Sequence, residues 1–379
     1  MMNPLTWLSR RRFPYEPLIT VEISRSRLLN NLALFRKLAP QNNVAPVLKS
    51  NAYGHGLREV AHILRGEKNL PFIVVDSFFE AVALRSFGIR DKILIIGYSR
   101  PETILGNRLR DIIFTISSVE TLRGIEDTDS VISIHLKIDT GMRRQGILPA
   151  EESIAVDLLS KNPLIRLCGI MSHFSNTSDI NSTSLESQIN VWKKTVEYFK
   201  SQFSNIKYFH ISATDGHWID HDLDANCSRL GLGLYGLGNM RGMALKPILE
   251  MKTLISGIKT LRRDETVGYD NTFKATRDMR IANIPAGYYE GIDRRLSNKG
   301  YIGVGDLNTP CPIIGRVSMN ITTIDISHMN EVSIGTPVTV ISSDPTAKNS
   351  INSIAKLCGT IPYEIVVHIP TELKRVIVD

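Results

Sequence analysis

The chain is poor in cysteine. Its four, Cys168, Cys227, Cys311 and Cys358, stand far apart and form no CxxC pair. That argues against a disulfide framework or a zinc ribbon and fits a reducing compartment. There is also no run of about 18 apolar residues, so no membrane-spanning helix is expected. The opening MMNPLTWLSRRRFPYEP lacks the apolar core of a secretory signal. A soluble, cytoplasmic protein is the expectation. The net charge of +7 comes from scattered residues apart from Arg10, Arg11 and Arg12. Aromatic and basic residues are not interleaved, so no nucleic-acid partner is expected. Neither a low-complexity tract nor an internal repeat is present. With 379 residues, 42% of them hydrophobic and 22% charged, the chain has material for two domains and no composition bias toward disorder.

What is present is a series of eight short apolar runs: APVLKS, FIVVDS, KILIIGYS, DIIFTIS, SIHLKIDT, CGIMSHF, KYFHISA and SRLGLGLY. Helical patterns lie between many of them. Leu57, Val60, Ala61 and Leu64 share one helix face by their spacing. SLESQINVWKKTVEYFKSQF reads as a long helix with Ser184 as its cap and Gln188 further in. RLLNNLALFRKLA is a helix ahead of the first run. Near-continuous apolar runs with helical connections predict parallel strands covered on both faces. Eight units predict a (β/α)8 TIM-type barrel, with a doubly wound sheet as the rival. Lys49, Lys137, His173 and Thr214 fall at or just past strand ends, where a barrel carries its chemistry. From residue 246 the pattern turns β-rich, with Gly, Pro, Asn and Asp between short runs and little helix before INSIAKLCGT. The expected division is a barrel over 1–245 and a mostly β domain over 246–379.

Within VLKSNAYGHG, residues 47–56, Lys49 ends an apolar run. A desolvated lysine amine can form a Schiff base with an aldehyde cofactor, although most lysines at strand ends are solvated charges. Pyridoxal phosphate needs such an amine, a phosphate cradle and a partner for its ring nitrogen. Gly231, Gly233 and Gly236 in RLGLGLYG offer close backbone approach late in the barrel, where phosphate sites are common, but glycines also serve turns. His217 and His221 in DGHWIDHDLD, with Asp215, Asp220, Asp222 and Asp224, have metal-ligand spacing. A polar loop or helix start explains them as well, and no metal is expected.

VLKSNAYGHG, HLKIDTGMRRQGI, SHF at 172–174, SRLGLGLYGL, VGYDNTF, IPAGYYEGIDRRLSNKG, GRVSMN and IPYEI resemble, in order, the motifs of the alanine racemase family. The resemblance covers nearly the whole chain. It implies a fold-type III pyridoxal-phosphate enzyme that interconverts L- and D-alanine for peptidoglycan precursors. It implies that Lys49 holds the cofactor and serves as one base, with Tyr269 of the partner subunit as the base on the opposite face of Cα. A homodimer with shared active sites follows. Arg229 would face the ring nitrogen, and His173 would link Arg229 to Tyr269. Tyr53, Thr214, Tyr363 and the backbone at Gly231 and Leu232 would hold the phosphate. Arg144 would contact the phenolic oxygen and the substrate carboxylate, which the Met319 backbone would also bind. Lys137 matches a position carbamylated in many members. Tyr288 and Tyr363 match the residues that narrow the entrance, and Arg294 and Arg316 match its outer lining.

Four positions depart from the family pattern: Ala213, Thr214, Asn320 and Arg143 stand where asparagine, serine, aspartate and glycine are usual, although Thr214 keeps a hydroxyl for phosphate. The alternatives are a broader or serine-preferring racemase, or a single-barrel protein that binds pyridoxal phosphate without catalysis. The β-rich half argues against the last. Decarboxylases with a related two-domain plan are also set aside, because their signature cysteine and acidic motifs are not evident.

Overall fold

The computed structural model describes residues 15–177, 179, 181–214, 216, 223–238 and 244–379. The triple arginine and most of DGHWIDHDLD, residues 215 and 217–222, lie outside these. The chain divides into two compact units. One is Arg25–Pro247; the other is Ile248–Asp379 together with the N-terminal strand β1 (Thr20–Ser24).

In the first unit the eight apolar runs become eight parallel strands. They are β2 (Asn43–Pro46), β3 (Ile73–Val75), β4 (Ile93–Ile95), β5 (Ile112–Ile116), β6 (Ile132–Lys137), β7 (Ile165–Met171), β8 (Tyr208–His210) and β9 (Cys227–Leu230). Strands β3 to β8 form one sheet in sequence order, and β2 pairs with β9. The two groups are joined at both edges. Leu48 N–H donates to Val74 O at 2.7 Å, and Asn226 N–H donates to Phe209 O at 3.0 Å. The ring therefore closes into the expected barrel, and the open doubly wound sheet is excluded. Closure leaves no strand edge unpaired. Both faces of each strand are covered, which is why the runs read as continuously apolar. Ala45, Val47, Phe72, Val74, Leu94, Ile113, Tyr208 and Cys227 pack together inside.

The helix Leu57–Leu64 has the bounds its periodicity predicts, and it buries Leu57, Val60, Ala61 and Leu64. Burying such side chains contributes about 1.5–3 kcal/mol each for the larger ones. The long helix runs over Thr183–Gln202, and its cap is Ser182, not Ser184. Ser182 takes the extended backbone a cap requires, and its Oγ accepts from Leu185 N–H at 3.3 Å. Ser184 lies inside the first turn and is exposed.

The second unit is built on a six-stranded sheet. Its order is β16 (Thr309–Pro312), β15 (Tyr301–Val304), β18 (Pro337–Ile341), β10 (Leu249–Leu254), β1 and β19 (Lys374–Val378). A three-stranded sheet joins β11 (Gly257–Leu261), β14 (Met279–Ile284) and β17 (Thr322–Asp325). A short hairpin pairs β12 (Thr266–Val267) with β13 (Phe273–Lys274). INSIAKLCGT supplies the helix Ile351–Cys358, capped by Ser350 and ended by Gly359 at φ +65°. The expected boundary placed residues 1–245 in the barrel, whereas β1 pairs antiparallel with β10 and parallel with β19. Its sequence carries the reason. In TVEIS, Val21 and Ile23 are buried while Thr20 and Glu22 are not. That alternation belongs to a sheet covered on one face, unlike the barrel runs.

Replacing Ser182 with alanine should lower stability by about 1 kcal/mol, the usual cost of losing a cap. Ser184→Ala should change it little. Urea midpoints of the two variants distinguish these positions, and the reverse order would contradict the capping assignment.

Candidate active site

Directly after β2 the backbone reverses hand. Ser50, Asn51, Ala52 and Tyr53 all have φ between 53° and 56°. Four consecutive non-glycine residues in this region cost about 1–2 kcal/mol each. The turn is held by local bonds: Ala52 N–H to Leu48 O at 2.8 Å, Gly54 N–H to Ser50 O at 3.0 Å, and Leu57 N–H to Asn51 Oδ1 at 2.8 Å. Concentrated strain of this kind marks functional segments. Its consequence is geometric. Lys49 sits half-buried at the head of the turn, and Tyr53 is swung toward the last strand. A Cβ at Gly231 would fall 2.8 Å from the Tyr53 hydroxyl. Only glycine leaves that space. Nearby, Gly233 N–H donates to the buried Thr214 Oγ1 at 3.2 Å. Tyr53, Thr214, Gly231 and Leu232 therefore surround the start of the short turn Leu232–Tyr235.

Arg229, on β9 and 4% exposed, is the hub of the barrel mouth. Its Nη2 donates to Ser172 O at 2.7 Å, Ile211 O at 2.9 Å and His173 Nδ1 at 3.0 Å. Its Nη1 donates to His210 Nδ1 at 2.6 Å and His210 O at 3.0 Å. A guanidinium is a donor only, so both Nδ1 atoms must be acceptors, and each ring carries its proton on Nε2. His210 Nε2 then donates to His135 Nδ1 at 2.9 Å. The outer His135 Nε2 is buried without a hydrogen-bond partner among the described residues, packed where a Cβ at Gly169 would lie 2.8 Å away. A register shift between Ile134 and His135 sets Gly169 opposite the ring. Burial, then the nearby guanidinium, holds His135 and His173 down to about 3, and His210 well below its ordinary value.

Lys137, at the end of β6, is 7% exposed. Burial, with Arg144, Arg229 and Lys49 nearby, lowers it to about 8, and Asp139 offsets this in part. Its Nζ donates to Gln145 Oε1 at 3.1 Å. Arg144 itself is exposed on the loop after β6. That loop explains one departure from the family pattern: Arg143 stands at φ +54° where glycine is usual, and its N–H and that of Gly141 are both held by Asp139 Oδ1, at 3.0 and 2.9 Å. Gln188, buried in the long helix, donates to Thr140 Oγ1 and His173 O and accepts from Ser175 N–H, which fixes the loops after β6 and β7.

The remaining expected residues lie in the second unit. Tyr269 is 67% exposed and Met319 54% exposed. Tyr288 and Arg294 line a cavity of about 230 Å³ with Gly291, Asp293, Ile365 and His368. Tyr363 is half-buried. Arg316 pairs with Asp270 at 2.8 Å. Asn320 Nδ2 donates to the buried Glu290 at 2.6 Å, and Glu290 also accepts from Gly287 N–H at 2.8 Å. An aspartate at 320 would face that carboxylate with a like charge, which accounts for the asparagine here. Among the described residues no group of three or more His, Cys, Asp or Glu is placed to hold a metal ion. The histidines and most aspartates of DGHWIDHDLD lie outside those residues.

The sequence reading missed His210, His135 and Gln145. A signal existed for two of them. His135 and Lys137 are two apart on β6 and so share a face, and His210 ends the strand that precedes Thr214.

The geometry thus defines a barrel enzyme whose strand ends carry a group of cations, Lys49, Lys137, Arg144 and Arg229, beside a hydroxyl-lined glycine turn. Comparison with known proteins agrees with that class. Residues 23–239 match the alanine racemase N-terminal domain, and residues 248–377 match the C-terminal domain. The alanine racemase of Leptospira interrogans (strain Fiocruz L1-130) is 34% identical over 378 residues, 95% of each chain. That of Fusobacterium nucleatum is 34% identical, covering 94% of this chain and 99% of its own. The crystal structure of alanine racemase from Bacillus anthracis with bound L-Ala-P superposes with a TM-score of 0.87 at 26% identity, over 97% of this chain and 96% of that one. The chain belongs to the alanine racemase family and is an isomerase. Among the described residues no helix is long and apolar enough to cross a membrane.

The three imidazoles predict a pH dependence of stability. Unfolded, each titrates near 6.5, whereas His135 and His173 refuse the proton down to about 3 when folded. Their contribution is complete above 6.5 and is lost as pH falls toward 3, because the unfolded chain takes up protons that the folded one excludes. Urea midpoints should fall steadily from neutral pH to pH of about 4. A flat profile over that window would contradict neutral, buried imidazoles.

Proposed function

We propose that the chain interconverts L- and D-alanine with pyridoxal phosphate, by two bases on opposite faces of Cα. The observation that carries this reading is the pairing, at one barrel mouth, of a half-buried Lys49 with a fixed Arg229 and a hydroxyl cradle at Gly231. The fit to the cofactor is chemical. A phosphate wants the Tyr53 and Thr214 hydroxyls and open backbone N–H groups at Gly231 and Leu232, and a Cβ at Gly231 would close that space. Tyr363 would add a further hydroxyl. An amine is needed for the aldehyde, and Lys49 supplies it.

When bound, pyridoxal phosphate supplies an aldehyde that condenses with amines and a ring that acidifies the Cα–H bond. The chain does the rest. Arg229 would hold a permanent charge toward the ring nitrogen, and because a guanidinium cannot give up its proton, it would keep that nitrogen unprotonated and limit side reactions. Arg144 and the Met319 N–H of the partner subunit orient the substrate carboxylate, and Lys137 lies beside Arg144 to steer it. Lys49 exchanges a proton on one face of Cα. Tyr269 of the partner subunit exchanges one on the other, with His173 linking Arg229 to it. A homodimer with shared sites is part of this proposal, as is a role in supplying D-alanine for peptidoglycan within the cytoplasm. Four cysteines free of disulfides support a reducing compartment. The bulk of Tyr288 and Tyr363 at the entrance favours a small side chain.

Lys49→Ala should abolish turnover and the visible absorbance of the bound cofactor. Tyr269→Phe should slow racemization roughly 10²–10⁴-fold, the usual contribution of a general base. Because the two enantiomers have equal free energy, kcat/KM must stay equal in both directions. The asymmetry appears instead in deuterium oxide: one enantiomer should still exchange its Cα proton without inverting. Exchange lost equally from both enantiomers would contradict the two-base assignment. Across Ala, Ser, Lys and Arg, racemization should be fastest with alanine. Lysine turned over faster than alanine would overturn the narrow entrance.

A further inference from the structure

Tyr269 is presented on an unusual support. Gly268 before it has φ +76°, and Asp270 and Asn271 after it have φ +59° and +49°. L residues avoid this region, although Asp and Asn tolerate it best. The turn is anchored from several sides. Asp270 Oδ2 lies 2.8 Å from Arg316 Nε, an ion pair by distance in which the Nε makes no hydrogen bond; the Arg316 side chain is 34% exposed and that of Asp270 66%. Asn271 Oδ1 accepts from Thr266 Oγ1 at 2.8 Å. A Cβ at Gly268 would lie 3.3 Å from Arg316 N, and one at Gly315 would lie 2.7 Å from Val267 O, so the two backbones press together. Asn298 closes the bracket, donating to Thr272 and accepting from Gly315 N–H at 2.6 Å. The backbone is therefore tightly held while Tyr269 as a residue is 67% exposed. That is the arrangement for aiming a reactive side chain outward.

We propose that Asp270 and Arg316 form a single positioning unit for Tyr269. The ion pair fixes the left-handed turn that aims the phenol, and it keeps the Asp270 charge compensated beside a group that must take up and release a proton. Arg316 thus acts on the reaction through Asp270, in place of the role at the entrance that the family resemblance gives it. This rests on Tyr269 being the second base. Neither residue touches the reacting atoms, so both are positioning residues.

The test uses the holoenzyme and five variants: Asp270→Asn, which keeps tolerance of the left-handed turn but drops the charge, Asp270→Gly, Arg316→Met, Arg316→Lys, and the double variant Asp270→Asn/Arg316→Met. Each single variant should lower kcat about 5- to 20-fold with KM within about twofold, since small misplacements of a reacting group are costly. Cα-proton exchange in deuterium oxide should persist for the same enantiomer that still exchanges in Tyr269→Phe. The double variant should be no worse than either single one, because the two residues act as a pair. Arg316→Lys should recover part of the loss, and urea midpoints should stay close to that of the parent. Additive losses in the double variant would overturn the proposal. So would an Arg316→Met effect confined to KM, which would mark a residue lining the access path. If Tyr269→Phe itself shows no selective exchange, the two-base reading fails, and the Asp270 variants are not needed to show it.

Discussion

The first unit depends on one buried guanidinium. Arg229 draws the ends of β7 and β8 toward β9 through the carbonyls of Ser172, His210 and Ile211. The His210 carbonyl also accepts from Ser172 N–H, but leaving those of Ser172 and Ile211 unpaired inside the barrel would cost about 1–3 kcal/mol each. The same five donations fix the tautomers of His173 and His210 and, through His210, of His135. Charge, strand ends and proton positions are therefore set together. The barrel mouth arrives preorganised, which is where electrostatic catalysis gains most. Lysine could not do this work, because it lacks the planar fork that reaches three strand ends at once.

Against that rigid frame stands the left-handed turn from Ser50 to Tyr53. Its strain is roughly 4–8 kcal/mol if each residue carries the usual penalty. It is offset by the bonds around Leu48, Asn51 and Gly54, and it does two things at once: it turns the chain immediately after Lys49 and returns Tyr53 to Gly231. The second unit repeats the device at Asp270 and Asn271, directly after Tyr269. Both proposed bases are thus adjacent to backbone that L residues avoid, held by side chains that are not themselves reactive.

The fold was largely legible. Eight apolar runs mapped onto eight strands because parallel barrel strands are buried on both faces and leave a continuous apolar trace. The strand Thr20–Ser24 was missed because residues near the start of a chain invite assignment to the domain that follows, although Val21 and Ile23 alternate as a one-faced strand does. Ser182 was missed as a cap because cap identity depends on which of several nearby hydroxyls has extended backbone, and composition does not report that. Lys49 and Arg229, which the structure brings to one barrel mouth, were visible through their motifs, and Tyr269 is proposed from its motif. The histidine chain was not, because its meaning lies in which nitrogen faces which, a property of register and of the shift at His135. The left-handed turn was equally hidden, since Ser, Asn, Ala and Tyr carry no shared signal for positive φ.

The proposed account joins a barrel from one chain to a β unit from another. The most direct test is subunit complementation. Lys49→Ala and Tyr269→Phe proteins, each nearly inactive alone, are unfolded together, refolded and assayed for alanine racemization. Mixed dimers should contain one site with both lesions and one with neither, so activity should return to a substantial fraction of that of the parent enzyme. A mixture as inactive as its two components, with mixed dimers shown to have formed, would contradict a site shared between chains.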